Sequence, residues 1–374
     1  MSDAGDLGDM GRMFNDLLGL LGQQGPDSWF HTAQQLAVTV ARGDDGDPNP
    51  PVAERQRLET FAPLVDRHVA ALLGVGTAGP LEAATRTALT LAALDQWRPL
   101  LGPRAAVTPD VAGALGEDVP PVVSQMMGVL GPLFLGFQTG SVAGHFSERA
   151  WSLAALSLPR EHSRRLVVVS NIATFAAEWS LDVDATTVFA LARETMSSLV
   201  LSQPGLGDAL RALLLDTVAE SAAAQNDLLG RLREMGDPSA LMGEPERLLD
   251  GLTPPDDSPA VVALNAATAA LSAYIDDAAQ QVTEAIIGPQ PALREAYRRF
   301  RRSDARGEDA AAALFGITLQ GPVHDRAQSF VSTLRESGRY AELGALMRAD
   351  GLPYAEELSN PDAWCERVRN SPLA

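Results

Sequence analysis

Apolar positions recur at helical spacing over most of the chain. Between Val261 and Ile287 they fall at 264, 267, 271, 275, 278, 282 and 286, the stripe of a helix with one buried face. Similar patterns predict helices over 52–73, 80–100, 106–116 and 207–235, and one that starts at Asp27 or Ser28 and runs through Gln35 to Arg42. GDDGDPNPP (43–51) and the Pro/Gly/Asp-rich 236–258 read as loops, because Gly and Pro do not continue a helix. Asp182 or Asp184 caps a helix that extends to about Leu201 and stops before Pro204-Gly205. One β-branched run, Leu166–Val169, reads as a strand, and Asn171–Trp179 as a helical turn after it. Residues 1–26 are Gly-rich, with a short apolar run at Met13–Leu21. There is no internal repeat and no clean linker. The expected organisation is a flexible arm over 1–26 and a single mainly α domain over 27–374, with at most a few short strands.

The stretch from Val119 to Gly144 carries no charge, but its glycines, Pro132, Gln125 and Gln138 make it a poor hydrocarbon span. It predicts a buried helical hairpin instead of a membrane helix. Gly136, Gly140 and Gly144, four apart, share one side of a helix and would admit another backbone closely.

Composition narrows the chemistry. Among 374 residues, 46% are apolar and only 5% aromatic, so the core is mostly Ala, Leu and Val. All 29 cationic side chains are arginine. Schiff-base chemistry and the lysine-bearing phosphate loops are thereby excluded, since they need an amine. Forty-eight acidic residues give a net charge of −19, which argues against nucleic-acid binding. The single cysteine, Cys365, forms no internal disulfide, and MSDAGDLGDMGR lacks the basic opening of a signal peptide. A cytoplasmic protein is the expectation.

The local motifs are weak. GVGTAG (Gly74, Gly76, Gly79) follows a helical pattern and precedes Pro80, where a dinucleotide loop needs a preceding strand. It reads as a loop between helices. DDGD (Asp44, Asp45, Asp47) has Arg55 where a calcium loop needs its twelfth-position Glu, and reads as a solvated acidic loop. No two of the five histidines stand at chelating spacing, and there is no G-x-S-x-G elbow. Cys365 reads as packed. The arginines of 294–306 read as a solvated helix paired with Glu295, Asp304 and Glu308, or else as an anion or acidic-partner site.

LVVVSNIATFAAEWSLDVDATTVFALARETMSSLV (166–200) resembles a family of actinobacterial zincin-like metallopeptidases, some of them associated with coenzyme F420 biosynthesis. In that family a short strand and turn precede an Asp-capped helix bearing His-Glu-x-x-His. GPDSW (25–29), GFQTGSVAGHFSERAWS (136–152), LREAYRRFRRSDARGEDAAAALFGITLQ (293–320) and LPYAEELSNPDAW (352–364) are similar to further family segments in the same order, so the resemblance spans nearly the whole chain. It implies a zincin-like multi-helix domain.

The resemblance also locates a departure. The His-Glu-x-x-His positions hold Arg193, Glu194, Thr195, Met196 and Ser197: the glutamate is kept and both histidines are lost. The position of a third ligand, on the later helix, holds Ser272. Guanidinium has no lone pair to give a metal, and a serine hydroxyl is a poor neutral ligand. The implied protein has a degenerate metal site with no bound cofactor, is catalytically inactive, and acts by binding an unidentified protein partner. Glu194 is then the remnant of a general base. The alternative is a metal-dependent hydrolase with a non-standard site of Glu194, Asp276 and Asp277 that takes Mg, Mn or Zn. Asn265, Thr268, Ser272, Asp276 and Thr283 form a polar stripe on one helix and Thr186, Arg193 and Ser197 another. In the family's packing these stripes would face each other, with Tyr274 near the pocket, and Arg193 would replace the dication, paired with Glu194, Asp276 or Asp277.

Overall fold

The computed structural model describes residues 28–43, 46–74, 78–106, 121–235, 258–303, 311–312 and 314–371. The arm over 1–26, the predicted helix over 106–116, nearly all of the 236–258 loop, and Asp44, Asp45, Asp304, Arg306 and Glu308 fall outside or almost outside these residues. The described chain is overwhelmingly helical, with one two-stranded sheet.

The chain opens with α1 (Ser28–Arg42) and α2 (Val52–Leu73), which ends at Gly74 in the left-handed conformation. Strand β1 (Leu81–Ala83) follows, then α3 (Arg86–Ala106) and α4 (Pro121–Arg149). Strand β2 (Arg165–Val167) pairs with β1 in parallel, Leu81 opposite Arg165 and Ala83 opposite Val167. A parallel pair needs a long crossover, and α3 and α4 supply it. After β2 come α5 (Val169–Glu178), α6 (Val183–Leu201), α7 (Pro204–Met235) and α8 (Pro259–Ile286). The chain closes through α9 (Pro291–Arg302), α10 (Pro322–Glu336), a run of 3-10 turns and α11 (Pro361–Asn370).

Four expectations need correction. The uncharged stretch is one 29-residue helix, α4, and not a hairpin. Its glycines dock a neighbour instead of turning the chain: a Cβ on Gly136 would lie 2.6 Å from the Trp29 carbonyl oxygen, one on Gly140 2.7 Å from that of Ala33, and one on Gly144 2.4 Å from Cβ of Val40. The predicted helix over 80–100 begins only at Arg86, because residues 81–83 form the missed strand; three residues are too few to show a period. The Gly74–Gly79 loop therefore leads into a strand rather than another helix. Asp47 is no solvated loop acid: its carboxylate accepts from the backbone N–H groups of Arg86 (3.0 Å) and Thr87 (2.7 Å) at the start of α3. Burial raises its pKa, but these bonds outweigh burial and the net shift is downward.

Helix α6 is the axis of the fold. Asp182 caps it, accepting from the Ala185 N–H at 2.8 Å, and every residue from Ala185 to Leu201 is buried. It packs on α8, α2, α5 and β2. α8 is capped by Ser258, packs on α6, α7, α10 and α2, and is the one described helix long and apolar enough to cross a membrane; most of its apolar stretch lies inside the fold. A helix buried on all sides must satisfy its polar side chains internally. α6 carries Arg193, Glu194, Thr195, Ser197 and Ser198 in its buried middle, and the candidate site is built from their partners.

Candidate functional site

Glu194 is fully buried, and its carboxylate is chelated by a guanidinium. Arg160 donates through Nη1 to Oε1 at 2.7 Å and through Nη2 to Oε2 at 2.9 Å. The Ala154 N–H donates to Oε2 at 3.2 Å, and Arg160 Nη2 also donates to the Ser197 hydroxyl at 3.0 Å. Arg160 follows Pro159 in the segment before β2. Its Nε is buried without a partner among the described residues.

Arg193, one position earlier, points to α8. Its Nε donates to Asp276 Oδ1 at 2.5 Å, its Nη2 to the Ala154 carbonyl at 3.3 Å, and its Cζ stands 5.0 Å from the centre of the Tyr297 ring. Burial works against its charge, but Asp276, Tyr297 and Glu194 outweigh burial and raise its pKa. Asp276 is shared: Arg301 of α9 donates through Nη1 to Oδ2 at 2.9 Å and to the Ser272 hydroxyl at 3.0 Å. Nη2 of Arg301 donates to the Leu319 carbonyl at 3.2 Å. The backbone of Ala154 joins the two clusters, giving its N–H to Glu194 and its carbonyl to Arg193.

Of the three partners foreseen for Arg193, Asp276 is the one it meets. Glu194 belongs to Arg160. Asp277 bonds Arg335 at 2.5 Å and Gln281 at 2.8 Å, and burial is the largest cause of its raised pKa. The two polar stripes do not face each other along their length. Thr186, Thr268 and Thr283 bond carbonyls of their own helices, and Asn265 bonds the Gly316 carbonyl and the Thr318 N–H. Tyr274 packs against Tyr340, and burial pushes its pKa up to about 12. Cys365 is packed as expected, its thiol pushed up to about 12 by burial first and by Glu342. In the basic segment, Arg298 and Arg299 pair with Glu295, and Arg302 with Asp325.

Two cavities flank the Asp276–Arg301 contact. The first, about 520 Å³, is lined mostly by charged and polar residues and bounded by α8, α9 and α10. His324 stands in its wall and donates through Nε2 to the Thr318 carbonyl at 2.8 Å. Burial, then Arg301, lowers its pKa to about 4. The second, about 410 Å³, lies between α3, α4 and α9 and is lined by rings, with Arg193 and Arg301 in its wall.

A family model for zincin-like metallopeptidases matches residues 29–365. The chain belongs to this family. The zincin-like domain also superposes on a crystal structure from Chloroflexus aurantiacus, described as a "putative hydrolase with a novel fold". The TM-score is 0.64 at 14% identity, over 91% of this chain and 99% of that one, a likeness of fold. No curated protein matches.

The residues at the positions that the resemblance gives to zinc do not fit a zinc ion. Arg193 is a cation without a lone pair, and the Ser197 and Ser272 hydroxyls accept from Arg160 and Arg301. Among the described residues no three His, Cys, Asp or Glu side chains are grouped to hold a metal. Sequence reasoning missed Arg160 altogether and placed Arg301 either on a solvated helix or in an anion or acidic-partner site, not against Asp276 and Ser272. One signal was available: a carboxylate in the mostly apolar 183–201 helix needs a cation, and in a chain without lysine that cation is arginine.

Proposed function

We propose that this zincin-like protein carries a degenerate metal site and acts by binding, as a regulatory or structural component, and not by metal-dependent hydrolysis. One observation carries the reading. Glu194 has no exposed surface, and both its oxygens are occupied by Arg160 and the Ala154 N–H. A general base needs a lone pair directed at water or substrate; three donors already bind this carboxylate, and with no exposed surface its remaining lone pair has no path to either. Arg193 and Arg301 on either side of Asp276 put positive charge where a dication would have to enter.

The test is metal content by elemental mass spectrometry after equilibration with zinc, and separately with manganese or magnesium, followed by desalting. Peptide cleavage is assayed on the same samples. The expected result is less than stoichiometric metal, no metal-dependent rise in melting temperature and no cleavage. Stoichiometric metal with chelator-sensitive cleavage overturns the proposal. A rebuilt site sharpens the test: Arg193→His, Ser197→His and Ser272→Glu, with Arg160→Met to release Glu194. Zinc uptake by this variant and not by the parent is expected. A folded variant that takes up none breaks the assigned correspondence of positions.

A further inference from the structure

We infer that the ring-lined cavity beside Arg193 binds a small organic monoanion, a carboxylate on an aromatic or branched aliphatic body. The inference deepens the binding reading, on which it rests, by naming a ligand class for the space next to the dismantled metal position.

The walls come first. In a chain with 5% aromatic residues, the rings of Trp97, Phe146, Trp151, Tyr297, Phe300 and Phe315 meet around one cavity of about 410 Å³. Trp97 meets Phe146 and Phe315 edge to face, at 5.5 and 5.3 Å between centroids, and Trp151 stacks on Phe300 at 5.9 Å. Such a volume and such a lining are typical of sites that enclose a small ligand. Packed rings hold their shape at little entropic cost and favour a flat or branched apolar body.

The charge comes next. Arg149, Arg193 and Arg301 line the cavity, against Glu148 at its rim and the single carboxylate of Asp276 behind it. Among the described residues one positive charge is in excess, within a chain of net −19. Donors also stand free. Among the described residues, Nη1 of Arg193, Nε of Arg301, the Tyr297 hydroxyl and the buried Nε1 of Trp151 have no hydrogen-bond partner. Tyr297 keeps its proton, because burial holds its pKa up at about 12, so it offers a donor. A monocarboxylate satisfies such donors and supplies the one missing negative charge. The neighbouring cavity lacks this imbalance: its described lining sets four arginines, Arg294, Arg298, Arg301 and Arg302, against four acids, Asp276, Asp277, Glu295 and Asp325.

The test uses the full chain in EDTA, titrated with 4-phenylbutyrate, its primary amide and inorganic phosphate. Calorimetry is read alongside tryptophan fluorescence, since Trp97 and Trp151 stand in the wall. The expected result is saturable 1:1 binding of the acid, at least tenfold weaker binding of the amide and of phosphate, and a fluorescence change. Ala155→Phe fills the cavity without replacing an arginine and abolishes binding; Arg301→Gln weakens it at least tenfold. Equal affinity for acid and amide, retention of binding in Ala155→Phe, or no binding of the acid up to millimolar concentration overturns the inference and leaves the metal-uptake result standing. Binding that appears only when EDTA is replaced by zinc overturns both readings, because a metal then holds the carboxylate.

Discussion

Two arginine–carboxylate clusters start from adjacent residues of α6 and differ in what surrounds them. Around Glu194 the pair is sealed: the side chains of Arg160 and Glu194 are 2% and 0% exposed, and the contact is a two-point chelate. Around Asp276 one carboxylate serves two guanidiniums: Arg193 is nearly sealed at 5%, but Asp276 and Arg301 are 20% and 17% exposed where they meet the cavities. Sealing forces every charge to be matched inside the protein, so the Glu194 cluster is closed to any ligand and ties α6 to the segment before β2. Opening relaxes that demand. Among the described residues the Asp276 cluster sets two arginines against one carboxylate, and water reaches Asp276 and Arg301. In the reading proposed above, the two clusters act as a lock and a cationic wall.

The largest expected effect tests the lock. Glu194→Gln keeps the shape but leaves the Arg160 guanidinium buried and uncompensated, at a cost of about 3–5 kcal/mol. Urea denaturation measures it. The double variant Glu194→Leu with Arg160→Met removes both charges and is expected to recover most of that loss. A single variant that loses under about 1 kcal/mol would show that water reaches the pair, and the contrast between the clusters would fail.

Next comes acid, which acts beside the open cluster. The folded pKa of His324 is about 4, against 6.5 for the ordinary imidazole, with burial the first cause. Between those values the unfolded chain binds a proton that the folded chain refuses, so stability falls as pH drops from 6.5 towards 4. The loss is on the order of 2–3 kcal/mol. His324→Gln removes this part of the slope, and denaturation midpoints of parent and variant between pH 7 and 4.5 measure it. Parallel slopes would mean that the imidazole titrates alike folded and unfolded.

Asp276→Asn follows, at about 2 kcal/mol: Arg301, 17% exposed, regains water, whereas Arg193, 5% exposed, loses its carboxylate with little access to solvent. It sharpens the comparison by separating two readouts. Stability falls, yet affinity for the carboxylate probe rises, since the cavity gains a positive charge. If both fall together, Asp276 positions the arginines and its charge is secondary.

Much of the fold was legible because its signals are local. The helical period over 261–287, the Asp182 cap and the Gly136–Gly144 spacing each follow from side chains a few residues apart, and each reappears in α8, α6 and the α1–α4 contact. The site was legible in part. A buried Arg193 calls for a carboxylate, and Asp276 lies at hydrogen-bond distance. What escaped depends on sequence-distant partners. Arg160 stands 34 residues before Glu194, in a segment without periodicity, and Arg301 belongs to a run of arginines whose other described members look alike in sequence. The sequence also gave no warning that Thr186, Thr268 and Thr283 turn to their own helices, since a helical threonine bonds the preceding turn as readily as a neighbour.

The smallest effects make the finest test. Ser197 and Ser272 occupy two of the positions that the family resemblance gives to metal ligands, and each hydroxyl accepts from an arginine at 3.0 Å. Bond length does not distinguish them; surroundings do. Ser197 has no exposed surface and Arg160 is sealed beside it, so Ser197→Ala leaves a guanidinium donor with one acceptor fewer and no access to water, at about 1 kcal/mol. Arg301 borders both cavities and exchanges the Ser272 hydroxyl for water, so Ser272→Ala costs a few tenths. Matched denaturation curves resolve the difference. Equal losses would mean that both clusters are equally dry, and the carboxylate pocket would then lack the solvent access by which its ligand enters.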